Sequence, residues 1–379
     1  MAILRNLTRR FLIIVNLVVV FLFLLACLNP FLHPSGWWII SLLGLIFPLL
    51  LLLLVMLLIC WIFFSRWRMA LLCLIVILIG WPNFHALFAL HPAASFTPDK
   101  PTGAIRVITW NVRRWDEFVS RRHGEHRAKM LDFLKDQNGD ILCLQEFFES
   151  HNPREFASNI PFIQKELNYP YHYFSLDYRR YDDMYESGVI IFSRFPITDS
   201  CKIRYQNKDN QKAAESLIGV DLDLAGKTIR VFTTHLQSVL FGNKEFRDLE
   251  IIKNVEDSSI VASKSIIKKL RRAYGFRGGQ ADIVREQIDQ SPYPTIICGD
   301  FNDVPNSYTY FRIKGDMQDA FIKKGFGIGR SYVHISPTLR IDYIFASRQF
   351  DVLQCKKFDL PYSDHHPFVA DLNLAFKSK

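Results

Sequence analysis

The sequence predicts an α/β layered domain that follows three transmembrane helices. The first observation is that three long runs without a charged side chain lie within residues 1–90. The second is that short β-rich runs alternate with polar helical stretches from Ile105 onward. Because these two patterns suit different solvents, the chain divides near residue 91 into a membrane part and an outer domain.

Each apolar run is long enough to cross the hydrocarbon layer, about 30 Å thick, as a helix. Pro48, Gly80 and Pro82 are tolerated in such helices. A signal peptide is the alternative interpretation of the first run, but no small-residue cleavage site follows it. The predicted spans therefore cover residues 11–29, 37–64 and 69–90, which together form a membrane anchor, residues 1–90.

Arginines predict the orientation of these spans. Three of them precede the first span, and Arg66 and Arg68 lie between the second and the third. The loop "NPFLHPSG" between the first two spans carries no Lys or Arg. The positive-inside rule then places the N-terminus in the cytoplasm. We therefore predict a multi-pass inner-membrane protein whose residues 91–379 are periplasmic or otherwise extracytoplasmic.

The net charge of +9 is not concentrated in the outer domain. Residues 1–90 contain five Arg and no acid, which leaves 41 basic and 37 acidic residues beyond them. That excess is too small to indicate nucleic-acid binding by itself. No cysteine spacing suits a metal site, and a disulfide between Cys201 and Cys355 is left open.

Residues 91–103, "HPAASFTPDKPTG", have the composition of a linker, and residues 104–379 follow as one domain without a second linker. Many of its β-rich runs are apolar on both faces, as expected for strands covered by helices. The runs are "IRVITW", "DILCLQ", "GVIIFS", "LIGVDLDL", "TIRVFTTHL", "PTIICGD", "IDYIFA" and "HPFVADLNL". Helical patterns lie near residues 125–137, 153–167, 244–271 and 280–290.

Acids, amides and histidines lie at the ends of these predicted strands. Each alone is most simply a turn-forming or capping residue. Together they suit metal-assisted hydrolysis of a phosphate ester, because carboxylates such as Glu146 and Asp300 bind Mg²⁺ or Mn²⁺ and imidazoles donate hydrogen bonds to phosphate. The absence of cysteine ligands and of a histidine trio argues against zinc. The set comprises Asn111, Glu146, His235, Asp300, Asn302, Asp342, Asp364, His365 and His366.

The motifs "TWN", "LQE", "SGVIIFSRFPI", "TTHLQS", "GDFNDVPNS", "RIDYIF" and "SDHHP" occur in this order. Their order resembles that of the endonuclease/exonuclease/phosphatase superfamily, which includes DNase-I-like nucleases, abasic-site endonucleases, neutral sphingomyelinases and inositol-polyphosphate 5-phosphatases. The resemblance covers residues 105–373, so the membrane segment has no part in it. It implies a four-layered sandwich of two mixed β-sheets flanked by helices, and a Mg²⁺-dependent phosphoric ester hydrolase.

The resemblance also implies a metal site. Glu146 resembles the principal metal ligand, with Asn111 beside it, and Asp364 resembles a further metal-site acid. Arg113 departs from the family, because it stands where some members have a metal-site aspartate. An arginine favours a one-metal site and either binds substrate phosphate or pairs with a neighbouring acid.

The remaining site residues resemble those that act on water and phosphate. Asp300 resembles the residue that aligns or deprotonates the attacking water, and Asn302 a hydrogen-bond donor to the phosphate. His365 resembles the histidine that contacts the phosphate, and Asp342 the acid that orients it. We expect the neighbouring His366 to face away, because adjacent residues of an extended segment point to opposite sides.

A second histidine completes the resemblance. His235 matches the second histidine of nuclease-like members, and Glu186 matches the supporting acid that pairs with it. The long insertion between "TTHLQS" and "GDFND", residues 239–293, contains "KSIIKKLRRAYGFR" with six basic residues and no acid. This stretch is either a solvated helix face or a lid that attracts an anionic substrate or anionic lipid head groups.

Three functions remain open at this point. The first is a membrane-anchored Mg²⁺-dependent phosphodiesterase that acts on nucleic acid. The second is a lipid head-group phosphatase or sphingomyelinase-like phospholipase, or an enzyme for a small soluble phosphoester. The third is a non-catalytic binding module, which the presence of the full residue set disfavours. The predicted partners are the phosphate-ester substrate and membrane lipid around the N-terminal helices, and no protein partner is predicted.

Overall fold

The computed structural model describes residues 2–92, 96–118, 124–180, 184–205, 215–239 and 259–375. Part of the predicted basic insertion, residues 240–258, lies outside the described residues. The helices are α1 Ala2–Cys27, α2 Pro34–Leu45, α3 Phe47–Phe63, α4 Trp67–Ile79, α5 Trp81–Leu87, α6 Glu125–Gln137, α7 Ile160–Glu166, α8 Ser259–Asp289, α9 Tyr308–Lys314 and α10 Ala320–Lys324, with a 3₁₀ turn at Arg113–Asp116.

The strands fall into two large mixed sheets and one two-stranded pair. They are β1 Ala89–Leu90, β2 Ile105–Asn111, β3 Ile141–Ser150, β4 Tyr171–Phe174, β5 Tyr178–Arg180, β6 Tyr185–Ser193, β7 Ile197–Ile203, β8 Leu217–Asp223, β9 Thr228–His235, β10 Thr295–Asp300, β11 Gln318–Asp319, β12 Phe326–Gly327, β13 Asp342–Ala346, β14 Phe350–Lys357 and β15 Phe368–Leu374. The six-stranded sheet has the order β11-β13-β10-β9-β8-β7, and the seven-stranded sheet has the order β14-β15-β2-β3-β6-β4 with β5 beside β6.

The two sheets pack face to face, and helices cover their outer faces. A core of small and branched side chains, including Val107 and Val231, fills the space between the sheets. Leu131 of α6 and Ile163 of α7 pack on the outer face of the seven-stranded sheet. Val284 of α8 packs on the outer face of the six-stranded sheet. The predicted α/β fold of two mixed sheets flanked by helices is therefore confirmed, and all eight predicted runs coincide with strands.

The N-terminal region contains one straight helix long and apolar enough to cross a membrane, Leu7–Cys27. The other two predicted spans are each broken into two helices. The pair α2 and α3 is bent by 54° and the pair α4 and α5 by 60°, and each passes the same test only as a pair. Prolines at the second position of α3 and of α5 explain where the bends fall, because a proline cannot continue the preceding turn.

The N-terminal helices run alternately towards and away from the outer domain. Phe47, at the start of α3, stacks on Phe23 near the end of α1 at 5.1 Å between ring centroids. Trp61, near the end of α3, donates a hydrogen bond to Asn16 in the middle of α1, so the two helices are antiparallel. Gly80, which follows α4, lies against Phe23 again, so α4 returns to the domain.

Hydrogen bonds join the N-terminal helices to the outer domain at two loops. Asn83 of α5 donates to Asn306 at 2.6 Å, and Asn306 donates to the Ala26 carbonyl at the end of α1. Arg340, which is fully buried, donates to the Ala86 carbonyl of α5 at 2.7 Å. The predicted linker also contacts the domain, since the Thr97 N–H donates to Gln354. Cysteines 201 and 355, on different sheets, are free rather than paired.

Candidate active site

Sheet register brings three predicted site residues together at the end of β10. Asp300, the last residue of β10, lies opposite His235 on β9 and opposite Asp342 on β13. The carboxyl ends of the parallel strands β9 and β10 meet at this edge, where binding sites of such sheets lie. Gly299 permits the close approach, because a Cβ there would lie 2.1 Å from the Thr234 carbonyl oxygen. Asp300 is buried, with 1% of its surface exposed.

His365 lies between two carboxylates. Its Nδ1 atom lies 2.9 Å from Asp342 Oδ2, and its Nε2 atom lies 3.6 Å from Asp300 Oδ2. Burial alone would lower the pKa of His365, but the charges of Asp342 and Asp300 outweigh it and raise the pKa to about 10. The imidazole is therefore cationic at neutral pH in the metal-free protein. The structure brings His365, Asp342 and Asp300 together as the sequence predicts.

His366 makes different contacts. Its Nδ1 atom accepts a hydrogen bond from the Leu360 N–H at 3.3 Å, and its Nε2 atom lies 3.3 Å from the exposed Asp359. Burial lowers its pKa. These contacts lie on the side away from Asp300, which agrees with the predicted opposite orientation of the two histidines.

The acid beside His235 is Glu215 rather than Glu186. Glu215 Oε2 lies 3.1 Å from His235 Nδ1, and His235 Nε2 lies 3.5 Å from Asp300 Oδ2. Burial acts to lower the pKa of His235, but the hydrogen bond and charge of Glu215 outweigh it and raise the pKa to about 9. The predicted partner Glu186 instead pairs with Arg179 at 3.1 Å and with His151 at 3.2 Å.

A β-bulge directs Glu146 towards this cluster. The register between β3 and β6 shifts between Leu144 and Phe147, and Glu146 has a left-handed φ of 46°. Bulges redirect side chains beside active sites. Asn111, at the end of the adjacent β2, donates from Nδ2 to Asp300 Oδ2 at 3.1 Å and towards Glu146 Oε1 at 3.4 Å. Asn111 thus bridges the predicted metal ligand and the predicted water-aligning acid.

The donors at this bridge fit a hard divalent cation. The Glu146 and Asp300 carboxylates both face Asn111 Nδ2, while Asn111 Oδ1 accepts a hydrogen bond from the Arg113 N–H, so the amide must turn over for its oxygen to bind a cation. The Glu146 side chain is 28% exposed and so is accessible to an ion from solvent. A second set of atoms suited to a metal, within 4.8 Å of one another, comes from Asp300, Asp342 and His365. We favour Glu146 and Asn111, because Asp342 and His365 hydrogen-bond each other at 2.9 Å, whereas Glu146 has a longer contact, 3.6 Å, to Arg114 Nε.

Arg113 and Asp364 form an ion pair at the rim of the site. Arg113 Nε lies 3.5 Å from Asp364 Oδ2, and its Nη1 lies 3.6 Å from Asp116. Of the alternatives for Arg113, pairing with an acid is thus observed. Residues 113–116 all have left-handed φ values between 46° and 60°. Such a run costs about 1–2 kcal/mol per residue, and stored strain of this kind is typical of functional sites.

Asn302 is held at the same edge by the loop after β10. Its backbone N–H donates to Asp300 Oδ1 at 2.8 Å, and its side chain donates to the Leu236 carbonyl at 3.1 Å. Its φ of 53° is left-handed, which asparagine tolerates better than most residues. The Asn302 side chain therefore lies beside Asp300, where the sequence predicts a hydrogen-bond donor to the phosphate.

Two residues of the site were missed by the sequence reasoning. Glu215 lies just before β8 and therefore lacks the strand-end position that marked the others. The Tyr332 ring packs on the His365 ring at 5.0 Å between centroids, and the two residues form an isolated β-bridge. Burial and the charge of Asp364 raise the pKa of the Tyr332 phenol. Tyr332 lies in an irregular segment, where no strand or motif signal points to it.

Burial and the Asp342 carboxylate raise the pKa of Asp300 to about 6, against the opposing effect of the two histidines. A carboxylate with a pKa near neutrality is suited to accept a proton during a reaction.

Cavity volume does not identify this site. A cavity of 630 Å³ lies elsewhere, between Trp81 of α5 and Tyr310 of α9.

The chain resembles known proteins in sequence and in fold. Residues 108–365, more than half of the chain, match the model of the Endonuclease/Exonuclease/phosphatase family. Residues 9–87 match a Domain of unknown function (DUF8431). No curated protein matches the chain.

Three solved structures are similar to the chain over about 70% of its length. The human Nocturnin catalytic domain with bound sulfate anion is 17% identical, with 73% of this chain and 97% of that chain covered and a TM-score of 0.51. An endonuclease/exonuclease/phosphatase from Beutenbergia cavernae DSM 12333 is 18% identical over 72% of each chain, with a TM-score of 0.49. D. rerio TDP2 complexed with single strand DNA product is 16% identical, with 71% and 99% covered and a TM-score of 0.48. On the family match, the chain belongs to the Endonuclease/Exonuclease/phosphatase family.

Proposed function

We propose that the chain is a membrane-anchored phosphoric ester hydrolase that depends on a divalent cation, Mg²⁺ or Mn²⁺. The observation that carries this proposal is the surroundings of the Asp300 carboxylate. Its Oδ2 atom lies 3.1 Å from Asn111 Nδ2, 3.5 Å from His235 Nε2 and 3.6 Å from His365 Nε2. A buried base surrounded by cationic and amide donors suits attack of water on an anionic ester.

In this mechanism Asp300 aligns the attacking water and takes its proton. His365 and His235 donate hydrogen bonds to phosphate oxygens, whose negative charge they stabilise as the ester bond breaks. Asn302 adds a further donor beside Asp300. Asp342 holds the ring of His365, so that Nε2 rather than Nδ1 faces the substrate.

Glu146 and Asn111 would hold the cation, which supplies polarisation of a phosphoryl oxygen and stabilises the leaving oxygen. Asp364, expected from the sequence to be a further metal-site acid, pairs with Arg113. We propose that this pair holds the guanidinium ready for a substrate phosphate, to which arginine donates two parallel hydrogen bonds. An arginine at this position favours a one-metal site.

We propose three membrane crossings, by α1, α3 and α4. The helices α3 and α4, of 17 and 13 residues, are about 25 Å and 20 Å long at 1.5 Å per residue, shorter than the hydrocarbon layer, so these crossings require a locally thinned bilayer. Arg66 lies between them and Arg68 lies in the first turn of α4, at the end away from the outer domain, where α1 with its three arginines also begins. The positive-inside rule then favours an extracytoplasmic outer domain, residues 104–379, attached to a membrane anchor, residues 1–90.

A reporter fused after Lys379 tests this orientation. We expect a phosphatase that folds only outside the cytoplasm to be active there. Activity of a reporter that works only in the cytoplasm would contradict the proposed orientation.

The substrate is either a nucleic acid or a lipid or soluble phosphoester. The nuclease activities named in the family's description favour the first through the family alone. The attachment of the membrane helices favours a lipid, because they bond Asn306 and Arg340, four residues after Asn302 and two before Asp342. The site is thereby held near the bilayer. A non-catalytic module is disfavoured by the complete set of candidate catalytic residues.

Parallel assays of the full-length protein in detergent micelles test the activity. Plasmid DNA, RNA, sphingomyelin and phosphoinositides are each incubated with Mg²⁺ and with chelator. We expect Mg²⁺-dependent release from at least one of them. Release from none of the four ester classes, by protein that binds Mn²⁺, would favour the non-catalytic module.

A further inference from the structure

We propose that the exposed basic face of α8, together with α2, binds the head groups of anionic lipids in the membrane that holds the N-terminal helices. The inference rests on the proposed membrane attachment and not on the proposed hydrolysis. The occupant of this surface is the bilayer itself.

Positive charge is arranged along one face of α8. Lys264, Lys268, Arg271 and Arg272 are exposed and lie on one side of the helix, at spacings of four, three and one residues. Ala273 and other buried side chains form the opposite side, which packs on the domain. The stretch from residue 264 to 277 contains no acid, and none of the described acids pairs with Lys264, Lys268 or Arg271. Such a helix presents a local excess of positive charge.

Helix α2 is the neighbour of this basic face. Helix α2 runs antiparallel to α8, with Pro34 against Gly278 and Ser35 against Gly275. The guanidinium of Arg271 lies 5.5 Å from the centre of the Trp38 ring. The glycines of α8 permit this contact, because a Cβ at Gly278 would lie 2.8 Å from Pro34 Cγ.

Helix α2 has the composition of a helix that lies in the interface of a bilayer. It contains no charged residue, and its Trp37 and Ile39 side chains are 56% and 60% exposed. Tryptophan is enriched at the level of lipid head groups. An apolar helix beside a row of lysines and arginines matches the amphipathic surfaces that bind anionic membranes. The positive charge would also attract a nucleic acid, but the exposed apolar side chains of α2 would not favour its binding.

Hydrogen bonds connect α8 to the candidate active site. Arg277, buried at the end of the basic stretch, donates to the Gln237 carbonyl at 3.1 Å and pairs with Asp303 at 3.3 Å. Gln237 also donates its N–H to Gln280 of α8 at 2.9 Å. Gln237 follows His235 by two residues, and Asp303 follows Asn302 directly. Lipid binding on α8 therefore fixes the height of the site above the bilayer surface.

Hydrogen–deuterium exchange of the full-length protein in nanodiscs tests the proposal. The discs contain phosphatidylcholine alone or with a minority of phosphatidylglycerol. We expect backbone amides of residues 264–277 to exchange more slowly in the anionic discs, and added salt to remove the difference. Equal exchange in the two kinds of disc would overturn the proposal.

Charge-reversal variants provide the matched comparison. Each basic residue contributes about five-fold to the affinity for an anionic surface, so Lys264→Glu/Lys268→Glu/Arg271→Glu weakens it by at least about a hundred-fold. The exchange difference between disc types should then disappear. The control Lys135→Glu/Lys165→Glu/Lys227→Glu changes exposed lysines elsewhere on the domain and should keep the difference. Loss in the control as well, or persistence in the α8 variant, would contradict the assignment.

Two further measurements separate this inference from its neighbours. An oligonucleotide added to phosphatidylcholine discs should leave exchange in residues 264–277 unchanged, and slowed exchange there would assign the surface to nucleic acid instead. Turnover of the soluble ester bis(4-nitrophenyl) phosphate should be equal in the wild type and the α8 variant. Absence of turnover of this diester and of all four substrates of the parallel assays, with the lipid effect intact, would refute the proposed hydrolysis and leave lipid binding standing.

Discussion

Glu215 Oε2 lies 3.1 Å from His235 Nδ1 and also accepts a hydrogen bond from the Glu146 backbone N–H at 3.0 Å. One carboxylate oxygen therefore holds both a candidate catalytic histidine and the bulge that directs the candidate metal ligand. This contact links the two sheets, since Glu146 belongs to β3 and His235 to β9. Disturbing it should affect the chemistry through two residues at once.

We predict that Glu215→Gln lowers kcat about 10- to 100-fold, as loss of a residue behind a ligand typically does. The amide cannot stabilise a cationic His235, and it perturbs the Glu146 bulge. KM should change less than kcat, because Glu215 acts through its neighbours. The control is Glu186→Gln, since Glu186 pairs with Arg179 and His151 and should be dispensable. The reverse ranking of the two variants would restore the sequence-based pairing of Glu186 with His235.

We predict that His365→Ala loses nearly all activity, about 10²- to 10⁴-fold in kcat, because its Nε2 faces Asp300 and the substrate position. His366→Ala should keep most activity, because its ring contacts the Leu360 N–H and Asp359 instead. Steady-state kinetics of both variants at equal thermal stability measures the difference. Comparable losses in the two would show that the assignment between adjacent histidines is wrong.

We predict that Glu146→Gln weakens divalent-cation binding, whereas Asp364→Asn weakens it much less because Asp364 pairs with Arg113. Binding of Mn²⁺, followed by its paramagnetic resonance signal, measures this without any substrate. Chelator should abolish turnover in the wild type, and Mg²⁺ or Mn²⁺ should restore it. Unchanged Mn²⁺ affinity in Glu146→Gln would contradict this assignment and would favour Asp300, Asp342 and His365 as the metal ligands.

The metal-free protein should lose stability as the pH rises. The folded-state pKa values of His235, about 9, and His365, about 10, lie above the ordinary value of 6.5. The folded protein therefore binds these two protons more tightly than the unfolded chain does. Their stabilisation is fully present below pH 6.5 and is lost as the pH passes through about 9 and then about 10. Thermal unfolding in chelator measures the Tm across this window. Glu215→Gln should flatten the His235 part of the decline, and a Tm that rises with pH would contradict both shifts.

Strand-end residues could be located from the sequence, because each lies where an apolar run stops. Asp300, His235 and Asp342 end or begin their strands, so they meet once the sheet places β9 and β13 on either side of β10 in register. Glu215 and Tyr332 carry no such mark. Their positions depend on how the segments before β8 and before β13 fold back, which is a matter of tertiary packing.

Helix boundaries were less well predicted. The glycines around residue 278 suggest a break between two helical patterns, 244–271 and 280–290, but α8 is continuous from Ser259 to Asp289. Gly278 serves the close contact with Pro34 of α2 rather than a turn. The second and third spans were predicted as single helices, yet prolines at the starts of α3 and α5 bend them. Composition predicts that a segment is apolar but not whether it lies across a membrane or along its surface.

The central claim is that Asp300 is the base of a cation-dependent ester hydrolysis. Its most direct test is the kcat of Asp300→Asn in Mg²⁺ on whichever phosphate ester the wild type cleaves, with Asp282→Asn of α8, a partly exposed carboxylate that pairs with Arg312, as the control. We predict a loss of about 10²- to 10⁴-fold for Asp300→Asn and little change for Asp282→Asn, because only Asp300 lies among the two histidines and Asn111. Equal turnover by wild type and Asp300→Asn would contradict the account.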